Sequence, residues 1–581
     1  MRQGSAGSAA RAAPARCRAG ALQDRAGRTA WRWLLCLVVI GALLLPQDGW
    51  GQQPEAPTLP PGKDSPERTD QPETTPAPSQ PPQPPPPPGT VLVAGFTLSG
   101  NLAVGTWELA PVLQPFVGQA LSLSGLEGVA DLITQEYRRR GYTLARAYIP
   151  EQTIRAGIVE IGVLEGRAGR LDVTGNTHYS TTYIRRYFAK VFEEGAIKYG
   201  SLERALLLLN DNPDLNVSAL LQPGEVVGFT DITAKAQDKR PIHLSANVNN
   251  FGQPTVSRER YTVGADVGNA LFDGALLSAN LILGNDPRTL FFQFGAYSVP
   301  INGQGTRLVV SASNGRFDVG GALAFLKIAG KSRSYDVSIT HPLLRTRVDS
   351  LYLETGFTSK DNRLFILDSL LGTDALRMLK LGVSYDRQDG TGRTFLSLYG
   401  YQGLGKFLGG MADNAPQATR LGADNRFTKA AVAASRVQSV WENVYLIVRG
   451  TGQISTGILP ILEEVLLGGA DSVRGYSLGE RQGDEGYTIS AEARLPVPYV
   501  KVAQFVLFID NGAVRIRGNL VGQQSYYSLT GAGPGLRVGL PYYEATLRLD
   551  LGFPLEPPKA LTGSLSGGSS PTLYFMLSTR L

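Results

Sequence analysis

Thiols are nearly missing from this chain. Its 581 residues include two cysteines, Cys17 and Cys36, and both fall in a stretch that reads as a cleaved leader. The mature chain then has none, which excludes a disulfide framework and a thiolate metal site. Histidine is almost as scarce: His178, His243 and His341 are scattered in sequence, so no His-based zinc site is expected. Charge is thin too, at 18% against about a quarter in soluble proteins. Mean hydropathy near -0.07 excludes a polytopic helical membrane protein. No G-x-x-x-x-G-K-[ST] phosphate loop is present. Ser472 stands beside Asp471 with no histidine in its loop, so no catalytic triad forms on paper. No enzyme activity, cofactor or metal is expected. The net charge of +6 owes much to arginines ahead of residue 33, which would be removed, so nucleic acid is not an expected partner.

Residues 1–51 read as a secretory signal with a long basic start. The apolar run Trp33–Leu45 is too short to cross a bilayer comfortably as a helix, and small residues follow it near Gly49 and Gly51. Residues 52–90 form a proline-rich linker, extended and solvated because proline fixes φ and removes a donor. A folded pattern begins at Val91. VLVAGFTLSGN reads as a strand, Thr106–Phe116 and Leu123–Arg140 as helices, and YTLARAYIP and GIVEIGVLEG as strands. The order then repeats: GRLDVTGN, helices over Thr181–Phe192 and Ser201–Asn210, then LNVSALLQPG and FTDITAKAQ. Two small α/β modules are expected, at 91–168 and 169–238. Neither is large enough for chemistry, and a sheet edge in each suits capture of an extended chain by strand addition.

From Pro241 the period becomes two and stays there. Sixteen runs of alternating residues fit between 242–250 and 573–581, each long enough for a tilted crossing. GGALAFLKIA (Gly320–Ala329) is a possible further strand, assigned here to an outer loop. Short turns such as 299–305 and 495–500 alternate with long loops, including 402–426 and 511–529, as in outer-membrane barrels. An unpaired backbone group in hydrocarbon costs several kcal/mol, so the sheet must close, last strand on first. Domain 239–581 is therefore expected to be a 16-stranded antiparallel barrel facing outer-membrane lipids. The soluble rivals, a large β-sandwich or a β-helix, fit less well: no short regular repeat is present, and the loop lengths alternate.

One loop, 453–484, differs from the rest. Its centre is Val473-Arg474-Gly475-Tyr476, and the second strand after it carries Phe508, Asp510 and Gly512. Outside the barrel, Arg474 is an ordinary exposed charge. Folded into the lumen, it needs a carboxylate, and Asp510 shares a face with Phe508. A two-point Arg474–Asp510 contact is the expected anchor.

With these residues the chain resembles the outer-membrane transporters of two-partner secretion, the haemolysin-activator and filamentous-haemagglutinin-transporter family, within the wider group of barrels with POTRA modules. Val473-Arg474-Gly475-Tyr476 matches the lid-loop motif, and Phe508, Asp510 and Gly512 match the barrel-wall motif that receives the arginine. Lys331–Arg347, KSRSYDVSITHPLLRTR, is similar to a further family stretch. The resemblance implies two POTRA domains, a 16-stranded barrel and a lid loop that gates it. It also implies export of a large unfolded exoprotein whose N-terminal secretion domain binds the POTRA domains. Barrel-assembly machinery and periplasmic chaperones are the implied partners during biogenesis. Many family members begin with a plug helix ahead of a linker, whereas the segment here is proline-rich without a helical pattern. The chain ends in Arg580-Leu581, not in the aromatic residue of many outer-membrane proteins. Two other functions fit parts of the pattern: a barrel-insertion factor that opens at its seam, and a solute pore or receptor.

Overall fold

The computed structural model describes residues 89–413, 415–518, 524–541, 544–556 and 570–580. The expected leader, nearly all of the expected linker, and Leu581 lie outside the described residues. The first module comprises β1 (Thr90–Leu92), β2 (Gly95–Ser99), α1 (Thr106–Leu113), β3 (Ala120–Ser122), α2 (Leu123–Arg139), β4 (Arg146–Tyr148) and β5 (Ile158–Leu164). The second comprises β6 (Arg167–Thr174), α3 (Thr181–Glu193), α4 (Tyr199–Asn210), β7 (Leu215–Pro223) and β8 (Phe229–Asp238). Their three-stranded sheets are ordered β2-β5-β4 and β6-β8-β7. In each, the last strand lies in the middle, parallel to the first and antiparallel to the other. The repeat seen in element order is thus a repeat of topology.

Helix boundaries follow local chemistry. The Ser122 hydroxyl accepts the Gly125 N–H at the start of α2, and Gly141, at φ +92°, takes the left-handed turn that ends the segment. Helix α3 begins likewise at Ser180, which accepts the Tyr183 N–H. Its buried stripe, Tyr183, Ile184, Tyr187, Phe188 and Val191, packs on Leu215, Val217, Ile232 and Ala234 of the sheet. In the modules two strands differ from the sequence reading. Val91–Asn101 splits, because β1 pairs with β3 while β2 pairs with β5. The run from Tyr142 pairs only at Arg146–Tyr148.

Beyond residue 241 the chain forms the barrel. Its first eight strands are β9 (Ile242–Asn249), β10 (Arg260–Gly268), β11 (Leu276–Gly284), β12 (Leu290–Pro300), β13 (Arg307–Asp318), β14 (Ala329–Arg345), β15 (Asp349–Ile366) and β16 (Ser369–Asp389). Then come β17 (Gly392–Gly403), β18 (Thr428–Trp441) and β19 (Val444–Ser455), and a hairpin of β20 (Val465–Leu467) and β21 (Arg481–Gly483) inside the following loop. The last five are β22 (Glu485–Val497), β23 (Val500–Arg515), β24 (Tyr526–Leu540), β25 (Ala545–Pro554) and β26 (Thr572–Arg580). Without the inner hairpin these form one closed 16-stranded antiparallel cylinder, sealed where Met576–Arg580 pair with Ser245–Asn249. Gly321–Leu326 is a short 3₁₀ turn, so the ambiguous run there is a loop.

Alternation gives the wall two surfaces. On β16, Leu379, Leu381 and Val383 point out, toward lipid. Between them Lys380 points in, to Glu354 at 2.7 Å and Asp336 at 3.3 Å. Exposed Trp441 and Tyr499 stand at two short turns, where aromatic girdles are found. Strands β14, β15 and β16 reach 17, 18 and 21 residues and so overrun the bilayer.

The second module docks on the short-turn side. Arg345 forks onto Asp211 at 2.6 and 3.2 Å, Arg204 donates to the Pro342 carbonyl at 2.5 Å, and His243 meets Asp214. The stretch Lys331–Arg347 thus runs from an outer loop into the module interface.

Phe188→Ala is expected to destabilise the second module by about 3–5 kcal/mol. Limited proteolysis would then cut that module at protease levels that spare the parent, while the barrel keeps its heat-modifiable migration. A pH effect follows from Glu136 on α2. Hydrogen bonds from Arg139 and Arg140 hold its carboxyl down at about 2. A depressed carboxyl stabilises above the unfolded value and loses that contribution as pH falls. Module 1 should weaken by about 1 kcal/mol or less as pH drops from about 4.5 toward about 2, and Glu136→Gln should flatten that slope in thermal melts.

Candidate functional site: an arginine tip inside the barrel

The loop between β19 and β22 turns inward, and its β20–β21 hairpin presses on the inner wall. Val473, fully buried, packs with Leu467 and Tyr476 of the loop and Val514, Tyr527 and Leu529 of β23 and β24. Arg474 is 2% exposed. Its Nε and Nη2 donate to the two oxygens of Asp510, at 2.7 and 2.9 Å, and its backbone N–H reaches the same carboxylate at 3.1 Å. The guanidinium carbon lies 3.4 Å from the centre of the Phe508 ring, a stacked cation–π contact.

Why this wall accepts the tip is a matter of missing side chains. A Cβ on Gly531, which pairs with Asp510 across the strands, would fall 1.9 Å from the Arg474 carbonyl oxygen. Gly475 has φ +103°, and a Cβ there would meet the β25 backbone at Phe553 and Pro554 at 2.8 Å. Gly512 faces Leu467 of the hairpin, whose Cδ1 would lie 2.4 Å from an added Cβ. Tyr476 is fully buried, its hydroxyl 2.9 Å from the carbonyls of Thr530 and Glu556. All seven residues singled out in the sequence therefore meet at one place.

Others join them. Glu492 on β22 and Asp550 on β25 accept from Arg474 Nη1 at 3.1 and 3.3 Å. Arg537 and Arg548 also donate to Asp550, at 2.7 and 2.8 Å, and Arg494 to Glu492 at 2.7 Å. Arg548 reaches out to Asp471 of the loop at 3.0 Å. On β26 the Tyr574 hydroxyl takes the Gly475 N–H at 3.1 Å and donates to the Tyr476 carbonyl at 2.7 Å. A signal for these existed: Glu492 and Arg494, and Arg548 and Asp550, stand two apart in alternating strands, the mark of a polar inner face. Among the described residues no group of three or more His, Cys, Asp or Glu is placed to hold a metal ion.

The arrangement is an inward-folded loop tip held by ion pairs in a polar lumen, on a 16-stranded barrel with two α/β modules at its short-turn end. The family profile described as haemolysin secretion/activation protein ShlB/FhaC/HecB matches residues 228–538, more than half of the chain. This chain belongs to the ShlB/FhaC/HecB family. A second profile, POTRA domain of ShlB type, matches residues 91–166. The chain is similar to the heme/hemopexin transporter protein HuxB of Haemophilus influenzae, with 27% identity over 420 residues covering 71% of this chain and 74% of that protein. It is 24% identical over 444 residues to the outer membrane transporter CdiB of Escherichia coli O6:K15:H31, covering 72% of each. The solved structure of CdiB from Escherichia coli superposes with a TM-score of 0.71 at 20% identity, covering 97% of this chain and 98% of that one, which speaks to the fold. As a ShlB/FhaC/HecB member the protein is an outer-membrane barrel with periplasmic POTRA-like modules, and it serves translocation across that membrane.

Gly531→Val should push the tip off the wall without touching a charged group. Planar-bilayer recordings of the variant are expected to show at least a threefold rise in open time, with barrel yield unchanged.

Proposed function

We propose that this protein carries one large unfolded exoprotein from the periplasm to the cell surface through its barrel. The POTRA modules bind the exoprotein's N-terminal secretion domain, and the 453–484 loop is the lid that clears the lumen. The observation that carries this reading is the nature of the stopper. Arg474 is buried, yet its partners are carboxylates on a polar wall. Water can replace each of those contacts when the tip leaves, so the cost of opening is recoverable in a way that extraction from an apolar core is not. The names of the relatives agree: two are hemolysin transporters, of Proteus mirabilis and Serratia marcescens. The β2 edge leaves one side of its sheet without a strand, which suits an extended client, whereas the start of the β6 edge is paired by residues 195–197. Folding of the client outside the cell biases its motion outward without a nucleotide.

One observation favours a second reading, insertion of other barrels into the membrane. The β26–β9 ladder runs over Met576–Arg580, the shortest among the described barrel strands even though Asn250 adds bonds to Leu573 and Phe575, and a short seam is easier to open sideways. Deleting the gene separates the two: an inserter's loss lowers many outer-membrane proteins, a dedicated exporter's loss stops one secreted product.

Arg474→Ala is expected to cut secretion of a co-expressed exoprotein partner at least fivefold, with barrel abundance within twofold of the parent. Immunoblots of culture medium and outer-membrane fractions read both quantities. Equal secretion at equal abundance would remove the lid from the mechanism.

A further inference from the structure

A second guanidinium grips the same loop far from its tip. Arg420 belongs to the outer loop between β17 and β18, and that loop is strapped to the upper part of β16. The Thr373 N–H donates to the Gln417 carbonyl at 2.6 Å, and the Met411 N–H to the Ala375 carbonyl at 2.8 Å. Asp374, fully buried, accepts the Thr419 N–H at 3.0 Å and its hydroxyl at 2.6 Å.

From this strap Arg420 reaches both arms of the lid loop at once. On the returning arm it forks onto Asp484 at 2.6 and 2.8 Å. On the outgoing arm it pairs with Glu464 at 2.5 Å and donates to the Leu459 carbonyl at 3.0 Å. Asp484 in turn accepts the Leu459 N–H at 2.6 Å and the Arg517 N–H at 2.7 Å. Next to them Glu463 sits between Lys360 at 3.2 Å and Lys429 at 2.5 Å, both on the barrel wall. Apolar packing reinforces the hold: Leu459 with Leu376, Met378 and Phe427, and Ile461 with Phe317 and Leu364.

We infer that Arg420 is a positioning residue for the lid: it fixes the root of the loop to the barrel wall, so that the Val465–Gly483 hairpin swings with Arg474 while the root stays in place. The inference rests on the lid reading above and deepens it. Freeing the tip trades Arg474's contacts for water in a polar lumen and uncovers one small apolar cluster, Val473 and Tyr476 against Val514, Tyr527 and Leu529. Freeing the root would pull Leu459 and Ile461 out of their apolar packing and leave the fully buried Asp484 without its cation, an uncompensated buried carboxylate. The tip therefore moves first, about a root that Arg420 holds.

Two tethers test this in the full-length protein, purified and recorded in planar bilayers in potassium chloride, so that no exoprotein is needed. Cys17 and Cys36 are first replaced by serine. Asp471→Cys with Arg548→Cys places thiols where an ion pair joins tip to wall, and Lys360→Cys with Glu463→Cys does the same at the root. A short bifunctional thiol reagent closes each pair, and each variant is compared with itself before treatment. The tip tether is expected to cut opening frequency at least tenfold, and the root tether to change it less than twofold. Arg420→Ala is expected to raise opening frequency at least threefold, and the root tether in that background to bring it back within twofold of the parent. Asp484→Asn gives the same reading if Arg420→Ala fails to assemble. Suppression by the root tether as strong as by the tip tether, or no change on removing Arg420, overturns the inference. An unchanged frequency under the tip tether instead overturns the lid reading itself.

Discussion

A backbone amide in hydrocarbon has no water to bond, and the architecture follows from that deficit. Every N–H and C=O of a sheet in lipid must be met by another strand, so the sheet from Ile242 to Arg580 curls until β26 meets β9. Closure at sixteen strands leaves a lumen too wide for the wall's own side chains to fill. An unfilled lumen of that width would be a permanent hole in the outer membrane. The loop between β19 and β22 is folded inward against that hole, and the glycines of β24 and β25 make room for its backbone.

The chemistry of the filling differs from that of a core. A soluble domain buries leucine to hold itself together, as the modules do around Phe188 and Tyr137. The barrel buries Arg474 among Asp510, Glu492 and Asp550, with Arg537, Arg494 and Arg548 offsetting the extra negative charge. Such a network is a poor source of net stability, because desolvation consumes most of the attraction. It is a good source of position: planar forks and a stacked ring at 3.4 Å admit one arrangement and reject a slipped one.

Much of this was legible in the residues. Period-two alternation gave the strand count, because each strand presents one face to lipid and the other to the lumen. The residues of the inward-folded loop tip and its wall site were legible because Arg474 lies among glycines, and Asp510 lies two positions from Phe508. What stayed hidden was nonlocal. Nothing near Glu492 or Asp550 says that register across four strands will bring both to Arg474. Arg420 reads as an ordinary loop charge until the loop's fold delivers it to Asp484. The upper halves of β15 and β16 escaped notice because Lys360-Asp361-Asn362-Arg363 are polar on both faces, as strands clear of lipid can be. The division between β1 and β2 depends on β3, which lies beyond a helix.

Those tall strands shape the barrel's mouth. At about 3.3 Å per residue, the 21 residues of β16 stand well above a hydrocarbon layer about 30 Å thick even at a tilt of about 45°. Across the cylinder β26 has 9 residues and β9 has 8, which at the same rise and tilt span about 20 Å and do not reach past that layer. The mouth is thus cut on a slant, like the end of a quill. The β14–β16 side stands as a parapet above the shorter strands opposite it.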